Sequence, residues 1–232
     1  MNNNDIYWNI RDRNWGVLSK EEQKILRNKT VVVIGLGCVG ELEAVMFARL
    51  GIGKLIIIDF DNLKIINLNR NPYSFTQYVG KKKVDNIKEI ITNIDPTLDI
   101  ISINKRISFG DEKLFVKADV ILQAIDNMKD RVIIHRMVEK HTKKPIITMS
   151  GGPPNRSFIA VFDEMCKFSY EKFLKLDTEK YDDKYLLTKD FDKIAKEKKK
   201  KRALYSIKWG ADKEWANQFI NDIRPTWAVT AI

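Results

Sequence analysis

The feature that most constrains this chain is the join between a β-branched run and a glycine loop. Thr30-Val31-Val32-Val33-Ile34 is continuously apolar after its first residue, the pattern of a strand buried on both faces. Gly35-Leu36-Gly37-Cys38-Val39-Gly40 follows at once. Leu42, Ala44, Val45, Met46, Ala48 and Leu50 then suit a largely buried helix that ends at Gly51. Leu55-Ile56-Ile57-Ile58-Asp59 reads as a second buried strand, completing a right-handed βαβ unit. In such a unit the glycines let backbone approach a phosphate, and the helix N-terminus favours its charge. Asp59, ending the second strand, can accept hydrogen bonds from ribose hydroxyls. Gly35, Gly37, Gly40 and Asp59 therefore predict a nucleotide site without saying which nucleotide.

The alternation continues downstream. Helical spacing runs from Val79 to Ile94 and from Asp130 to His141. Strand patterns occupy Asp99 to Ile103, Val120 to Gln123, Pro145 to Met149 and Ser157 to Phe162, with Gly151-Gly152-Pro153-Pro154 as a break. Alternating strands and helices predict an α/β, Rossmann-like, mostly parallel sheet with helices on both faces. From Asp163 to Arg202 the apolar pattern thins, as in a long, partly helical crossover or insertion. Ala211 to Ile223 reads as a helix, and Thr226 to Ile232 begins an apolar segment at the chain's end, so the C-terminal region is read as incomplete. The expected organisation is an N-terminal helical arm over 1–28, a nucleotide-binding domain over 29–162 and a crossover and C-terminal segment over 163–232.

Composition narrows the function. Hydrophobic residues make up 44% and charged residues 31% of 232, a soluble globular balance. No apolar run approaches the roughly 20 residues of a membrane span, and the first residues lack a signal-peptide core. With only Cys38 and Cys166, neither a disulfide framework nor a four-cysteine zinc site is expected, and a reducing cytoplasmic setting is the default. The net charge of +10 would suit nucleic acid or an acidic partner. Its densest cluster, Lys196 to Arg202, lacks aromatic residues and reads as a mobile, solvated loop, which argues against nucleic acid as a partner.

The segments beyond the glycine loop point away from a dehydrogenase. Asn67-Leu68-Asn69-Arg70, then Gly80-Lys81-Lys82-Lys83, then Asp126-Asn127 supply cations and a second carboxylate that hydride transfer does not need. Five blocks in order, the glycine loop, the acidic strand end, Asn-Leu-x-Arg, Gly-x-x-Lys and Asp-Asn, resemble the ThiF/MoeB/HesA family, relatives of the nucleotide-binding domain of ubiquitin-activating enzymes. The resemblance covers roughly residues 7–162. It implies an ATP-dependent adenylyltransferase that activates the C-terminal carboxylate of a small ubiquitin-like protein or peptide, releasing pyrophosphate. It also implies that Asp59 holds the ribose, that Asn67, Arg70 and Lys83 line the phosphates, that Asn127 joins the nucleotide site, and that Asp126 holds Mg²⁺. The Arg-rich stretch from Tyr7 to Gly16 resembles the family's start, where an arginine reaches the other subunit's active site; Arg13 is assigned that role, which requires a homodimer.

The physics of the reaction agrees. A carboxylate that attacks the α-phosphorus builds negative charge on phosphate oxygens, so cations must surround them. Arg70 offers a planar fork and Lys83 a point charge. Three departures from the family stand out. The two Cys-x-x-Cys pairs that bind structural zinc in many relatives are missing, so no such zinc is expected. Cys166 is the one candidate for an acyl-accepting cysteine, and it sits in an apolar context that suits packing. Glu41 stands in the first turn of the loop helix, where its charge opposes a phosphate unless the side chain turns away. Cys38 packs in the loop, and His135 and His141 are structural or surface residues. An NAD-dependent oxidoreductase and a non-catalytic partner subunit are the alternative functions.

Overall fold

The computed structural model describes residues 1–152 and 156–221. Six strands form one sheet: β1 (Thr30–Ile34), β2 (Lys54–Ile58), β3 (Asp99–Ile103), β4 (Val120–Gln123), β5 (Ile146–Gly152) and β6 (Arg156–Phe162). Their order is β3-β2-β1-β4-β5-β6, parallel except that β6 runs antiparallel to β5. The expected α/β architecture is therefore present, with its order reversing between β1 and β4.

Helices α3 (Cys38–Leu50), α4 (Lys83–Ile94) and α5 (Met128–His141) cover the two faces. Alternate residues of β1 show why its run is apolar throughout. Val31 and Val33 pack with Ala44, Val45, Ile87 and Ile91 on the α3–α4 side. Val32 and Ile34 pack with Val132, Ile134 and Val138 on the α5 side. Gly51, at φ +93°, ends α3 in the left-handed conformation.

The N-terminal arm contains α1 (Asn3–Ile10) and α2 (Lys20–Arg27), the latter opened by a Ser19–Glu22 capping box. Its Tyr7 hydroxyl donates to the Gly51 carbonyl at 2.7 Å, so the arm is anchored at the far end of the loop helix.

Two expectations change in detail. The helix foreseen from Val79 begins only at Lys83, because Gly80 takes φ +91° and Thr76–Tyr78 forms a 3-10 turn. The basic cluster is not a solvated loop. Lys196 to Arg202 lie inside α7 (Lys189–Lys208), whose Phe191, Ile194 and Ala195 pack on the α5-side core. Lys is a good helix former, and Phe191, Ile194 and Ala195 recur at helical spacing just before the basic run. Lys198 Nζ donates to the carbonyls of Leu174 and Lys175 at 3.0 and 2.8 Å, and Lys129 pairs with Asp192 at 2.5 Å. Short helix α6 (Tyr170–Phe173) precedes α7, and α8 (Lys213–Ile220) packs against it through Ala216 and Phe219, with Ala203 of α7 between them. The predicted segment from Thr226 to Ile232 lies outside the described residues. No helix among the described residues is long and apolar enough to cross a membrane.

Candidate active site at the glycine turn

The glycines divide the work among them. Gly35 has φ +89°, and a Cβ there would lie 2.6 Å from Ile125 Cγ2 and 2.8 Å from the Ala124 carbonyl. A Cβ on Gly40 would lie 1.8 Å from the Gly35 carbonyl, so this glycine lets the helix press on the turn. At Gly37 an added Cβ would meet nothing within 4 Å. That open position is the N-cap of α3, which no side chain caps, so an anion can approach the helix dipole there.

Asp59 secures the turn from the adjoining strand. Its carboxylate accepts from Leu36 N at 2.6 Å and from Asp61 N at 2.7 Å, and the residue is buried. Beside it lies a crevice of about 30 Å³ between the ends of β1, β2 and β4, lined by Gly35, Asp59, Phe60, Arg106, Ile125 and Asp130. That volume is room for roughly one or two water molecules, so the crevice marks the carboxyl ends of strands where the order reverses, the place where ligands of open α/β sheets bind, and is not itself a nucleotide-sized cavity. Arg106 grips Asp130 with two bonds of 3.0 Å and lies over the Phe60 ring, 5.6 Å from its centroid. No sequence motif marks this pair. Arg106 lies three residues past the carboxyl end of β3, a position that the rule for open sheets marks.

After β2 the chain makes an excursion and returns. Leu63 N donates to the Lys81 carbonyl and Gly80 N to the Leu63 carbonyl, both at 2.8 Å, closing the base of a loop over 64–79. Asn67 is buried in it and accepts from Lys64 N at 2.9 Å, while Arg70, half-buried, donates to the Ile66 carbonyl at 2.8 Å. Lys83, the first residue of α4, is buried with its Nζ 3.3 Å from Asp61 Oδ2. Asp61 N in turn binds Asp59, so the chain of contacts runs from Lys83 to the glycine turn.

Asp126 and Asn127 lie exposed just past β4, at the same end of the sheet. The N-cap of α5 is Asn127, whose Oδ1 accepts from Asp130 N at 3.1 Å. Arg13 is exposed in a 3-10 turn over Asp12–Asn14, remote from the buried contacts that hold Arg11.

Cys166 is placed elsewhere. It donates weakly to the Val161 carbonyl at 3.4 Å and borders a second cavity, about 230 Å³, with His135, Ile146 and Phe162. Ile146 begins β5 and pairs with Phe162, so this cavity opens at the amino ends of the parallel strands, opposite the glycine turn. His135 stacks on Tyr170 at 3.8 Å, and burial, reinforced by nearby Arg131, pushes its pKa down to about 3. The structural role foreseen for His135 agrees with this packing.

Glu41 resolves the concern its charge raised. It is 1% exposed and accepts from Tyr73 N at 3.1 Å and from Ser74 Oγ at 3.0 Å, on the 64–79 loop. Burial raises its pKa to about 7, against the opposing pull of these bonds, Asn71 and Lys83. A carboxyl group whose pKa is raised on folding lends stability that is complete below its unfolded pKa and is lost as pH climbs to the folded value. Glu41 should therefore cost about 3 kcal/mol at pH 8 relative to pH 4, the loss falling between pH 4.5 and about 7. Glu41→Gln removes this dependence. Thermal melts should show the variant gaining several degrees over the wild type between pH 5 and pH 8; parallel curves would refute the assignment.

Residues 10–180 match the ThiF family. The chain belongs to that family. The tRNA threonylcarbamoyladenosine dehydratase of Bacillus subtilis (strain 168) is 34% identical over 154 residues, covering 62% of this chain and 57% of that protein. The ubiquitin-like modifier-activating enzyme 5 of Caenorhabditis briggsae is 34% identical over 132 residues, 52% of this chain and 30% of that enzyme. This chain thus spans little more than half of the first of these relatives and under a third of the second. Among solved structures, E. coli tRNA N6-threonylcarbamoyladenosine dehydratase, TcdA, in complex with ATP superposes with TM-score 0.58 at 22% identity, covering 66% of this chain and 62% of that one. E. coli MccB with MccA-N7isoASN gives 0.57 at 24%, covering 64% of this chain and 44% of that one. At these identities the superpositions establish the shared Rossmann-type fold.

Proposed function

We propose that this protein binds ATP with Mg²⁺ at the glycine turn and adenylates a carboxylate, giving an acyl-adenylate and pyrophosphate. The observation that carries the proposal is the convergence on one helix N-terminus: Gly37 is open, Lys83 is linked to the turn through Asp61 and Asp59, and the Arg70 loop is bound to the same helix through Glu41. A dinucleotide needs the turn, but not a buried lysine beside it. The ATP complex of TcdA, a relative in fold, supports the same choice of nucleotide.

In this reading a carboxylate oxygen attacks the α-phosphorus while the bond to the bridging oxygen of pyrophosphate breaks. Lys83, Arg70 and the dipole of α3 hold the phosphates and stabilise the charge that grows on them. Asn67 lines the phosphates, Asp59 takes the ribose and Asn127 borders the nucleotide. Among the described residues no group of three or more His, Cys, Asp or Glu could hold a metal alone. Mg²⁺ suits such a site, because it binds through one or two carboxylates and the phosphates themselves; Asp126 is the residue that would hold it. When bound, the ion would neutralise charge on the phosphates. The placement of Cys166 beyond the sheet argues against a thioester there.

The proposed substrate is the C-terminus of a peptide or small ubiquitin-like protein, and Arg13 is proposed to reach the site of a second copy. A substrate carboxylate borne on RNA is the second reading. It is favoured by the relative named for a tRNA substrate and by the net charge of +10. Pyrophosphate exchange into ATP, measured with peptides, ubiquitin-like proteins and tRNA, separates the two. RNA binding should weaken steeply with salt. Asp126→Ala should abolish exchange. Binding of NADH but not of ATP·Mg²⁺ would overturn the proposal.

A further inference from the structure

We infer that Glu41 is a positioning residue for the triphosphate site, fixing the Arg70 loop against the glycine helix; the inference rests on the adenylation reading above. Its basis is geometric. Within 64–79 the recorded side-chain bonds of Asn67 and Arg70 are local, to Lys64, Ile66 and Asn69. Ile65, Ile66 and Phe75 are each more than half exposed, so the loop's apolar anchorage comes from Tyr73, packed on the α3–α4 core, and from buried Tyr78 near its base. It is joined to the domain at its base through Leu63, Gly80, Lys81 and the Tyr78 hydroxyl, which donates to Glu89 of α4 at 2.9 Å, and at its far side through Glu41. Asn86 of α4 adds one long contact, 3.5 Å, to the Tyr73 carbonyl.

Glu41 is suited to hold the loop in place. It lies one residue after Gly40, so its backbone shares the turn that the phosphates would approach. On the helix it falls on the buried face with Ala44, Val45 and Ala48, three, four and seven residues on, and its carboxylate reaches sideways to the loop. Tyr73 and Ser74 lie three and four residues beyond Arg70. Holding them restricts where the guanidinium can travel. Lys83 of α4 is the cation that acts on Glu41, and its own partner is Asp61.

Glutamine at this position can keep both contacts, its carbonyl accepting from Tyr73 N and its amide donating to Ser74 Oγ. Methionine fills similar space and keeps neither. Limited trypsin digestion reads the loop directly, through cleavage after Lys64 and Arg70, and titration calorimetry with ATP·Mg²⁺ reads the site. Glu41→Met is expected to speed cleavage within 64–79 at least about fivefold and to weaken ATP binding about tenfold, the effect of a lost hydrogen-bonded contact to a charged group. Glu41→Gln should stay within about twofold of the wild type in both, a rescue that distinguishes positioning from mere burial of a carboxyl group. Ser74→Ala, which alters only the loop side and leaves the core intact, should show the same two effects in weaker form. Unchanged cleavage in both Glu41→Met and Ser74→Ala overturns the proposal. Faster cleavage with unchanged ATP affinity overturns the link between the clip and the triphosphate. Wild-type protein that does not bind ATP overturns the adenylation reading instead, and the digestion result still decides whether the clip holds the loop.

Discussion

Exchange of Lys83 for methionine is expected to slow carboxylate adenylation by roughly 10²–10³-fold, the usual effect of removing one donor aimed at developing transition-state charge. Lys83 is suited to so large a share. It opens α4, so its backbone adds a second helix N-terminus to that of α3, and its side chain is 11% exposed. Water screens it little, and a buried cation acts more strongly on a phosphate than the same charge at the surface. It faces Asp61 Oδ2 at 3.3 Å, a long contact with a carboxylate that is itself 44% exposed. That pair is weak enough for the ammonium to turn to an incoming phosphate. Methionine matches the stem in length, so the fold should survive, and melts of the variant serve as the control. Lys83→Arg should recover only part of the rate, because a planar fork cannot take the place of a compact ammonium. Pyrophosphate exchange and an ATP titration together check the prediction. A variant that melts like the wild type and exchanges at the same rate would remove Lys83 from the site.

The βαβ unit around the glycines was legible because its signals are local. A doubly buried strand needs an unbroken apolar run, and a phosphate turn needs glycine where φ is positive or where backbone meets backbone; Thr30–Ile34, Gly35 and Gly40 meet both demands. The order of Asn67, Arg70 and Lys83 was legible only as a pattern, since nothing in their spacing says that the chain would leave β2 and return to pair residue 63 with residues 80 and 81. The partners of Glu41 were hidden for the same reason. From the sequence its neighbours are Gly40 and a presumed phosphate, whereas its partners stand 32 and 33 residues further along. The basic run at Lys196 to Arg202 shows the opposite failure. Charge composition suggested a loop, yet the apolar residues that anchor α7 flank the basic run, in Phe191, Ile194, Ala195 and Ala203. Cys166 could not be placed from sequence, because β6 turns back along β5 and carries the chain just after Phe162 to the opposite end of the sheet.

The two arginines of the N-terminal arm, close in sequence, should behave in opposite ways. Arg11 is 3% exposed and its guanidinium pairs with the fully buried carboxylate of Asp95, donates to the Ala48 carbonyl at 2.7 Å and stacks on Tyr7, 4.5 Å from the ring centroid. Asp95 uses its other oxygen for Thr97 N and Oγ1, at 2.9 and 2.6 Å. The pair therefore ties the arm to the ends of both α3 and α4. Arg11→Met leaves a buried carboxylate and a buried carbonyl without their partner, which typically costs 3–5 kcal/mol, or a drop of roughly 10 °C in Tm for a chain of this size. Replacing both members, Arg11→Met with Asp95→Leu, should recover most of that loss, since the uncompensated charge rather than the lost attraction dominates the cost. Arg13→Ala should leave Tm within about 1–2 °C, as for other surface changes, and should abolish adenylation if the side chain serves a second copy's site. Mixing inactive Asp126→Ala with inactive Arg13→Ala protein then decides the dimer: hybrids place one intact site in each pair, so activity should return. If the mixture stays inactive while each variant melts like the wild type, Arg13 does not act across a subunit boundary.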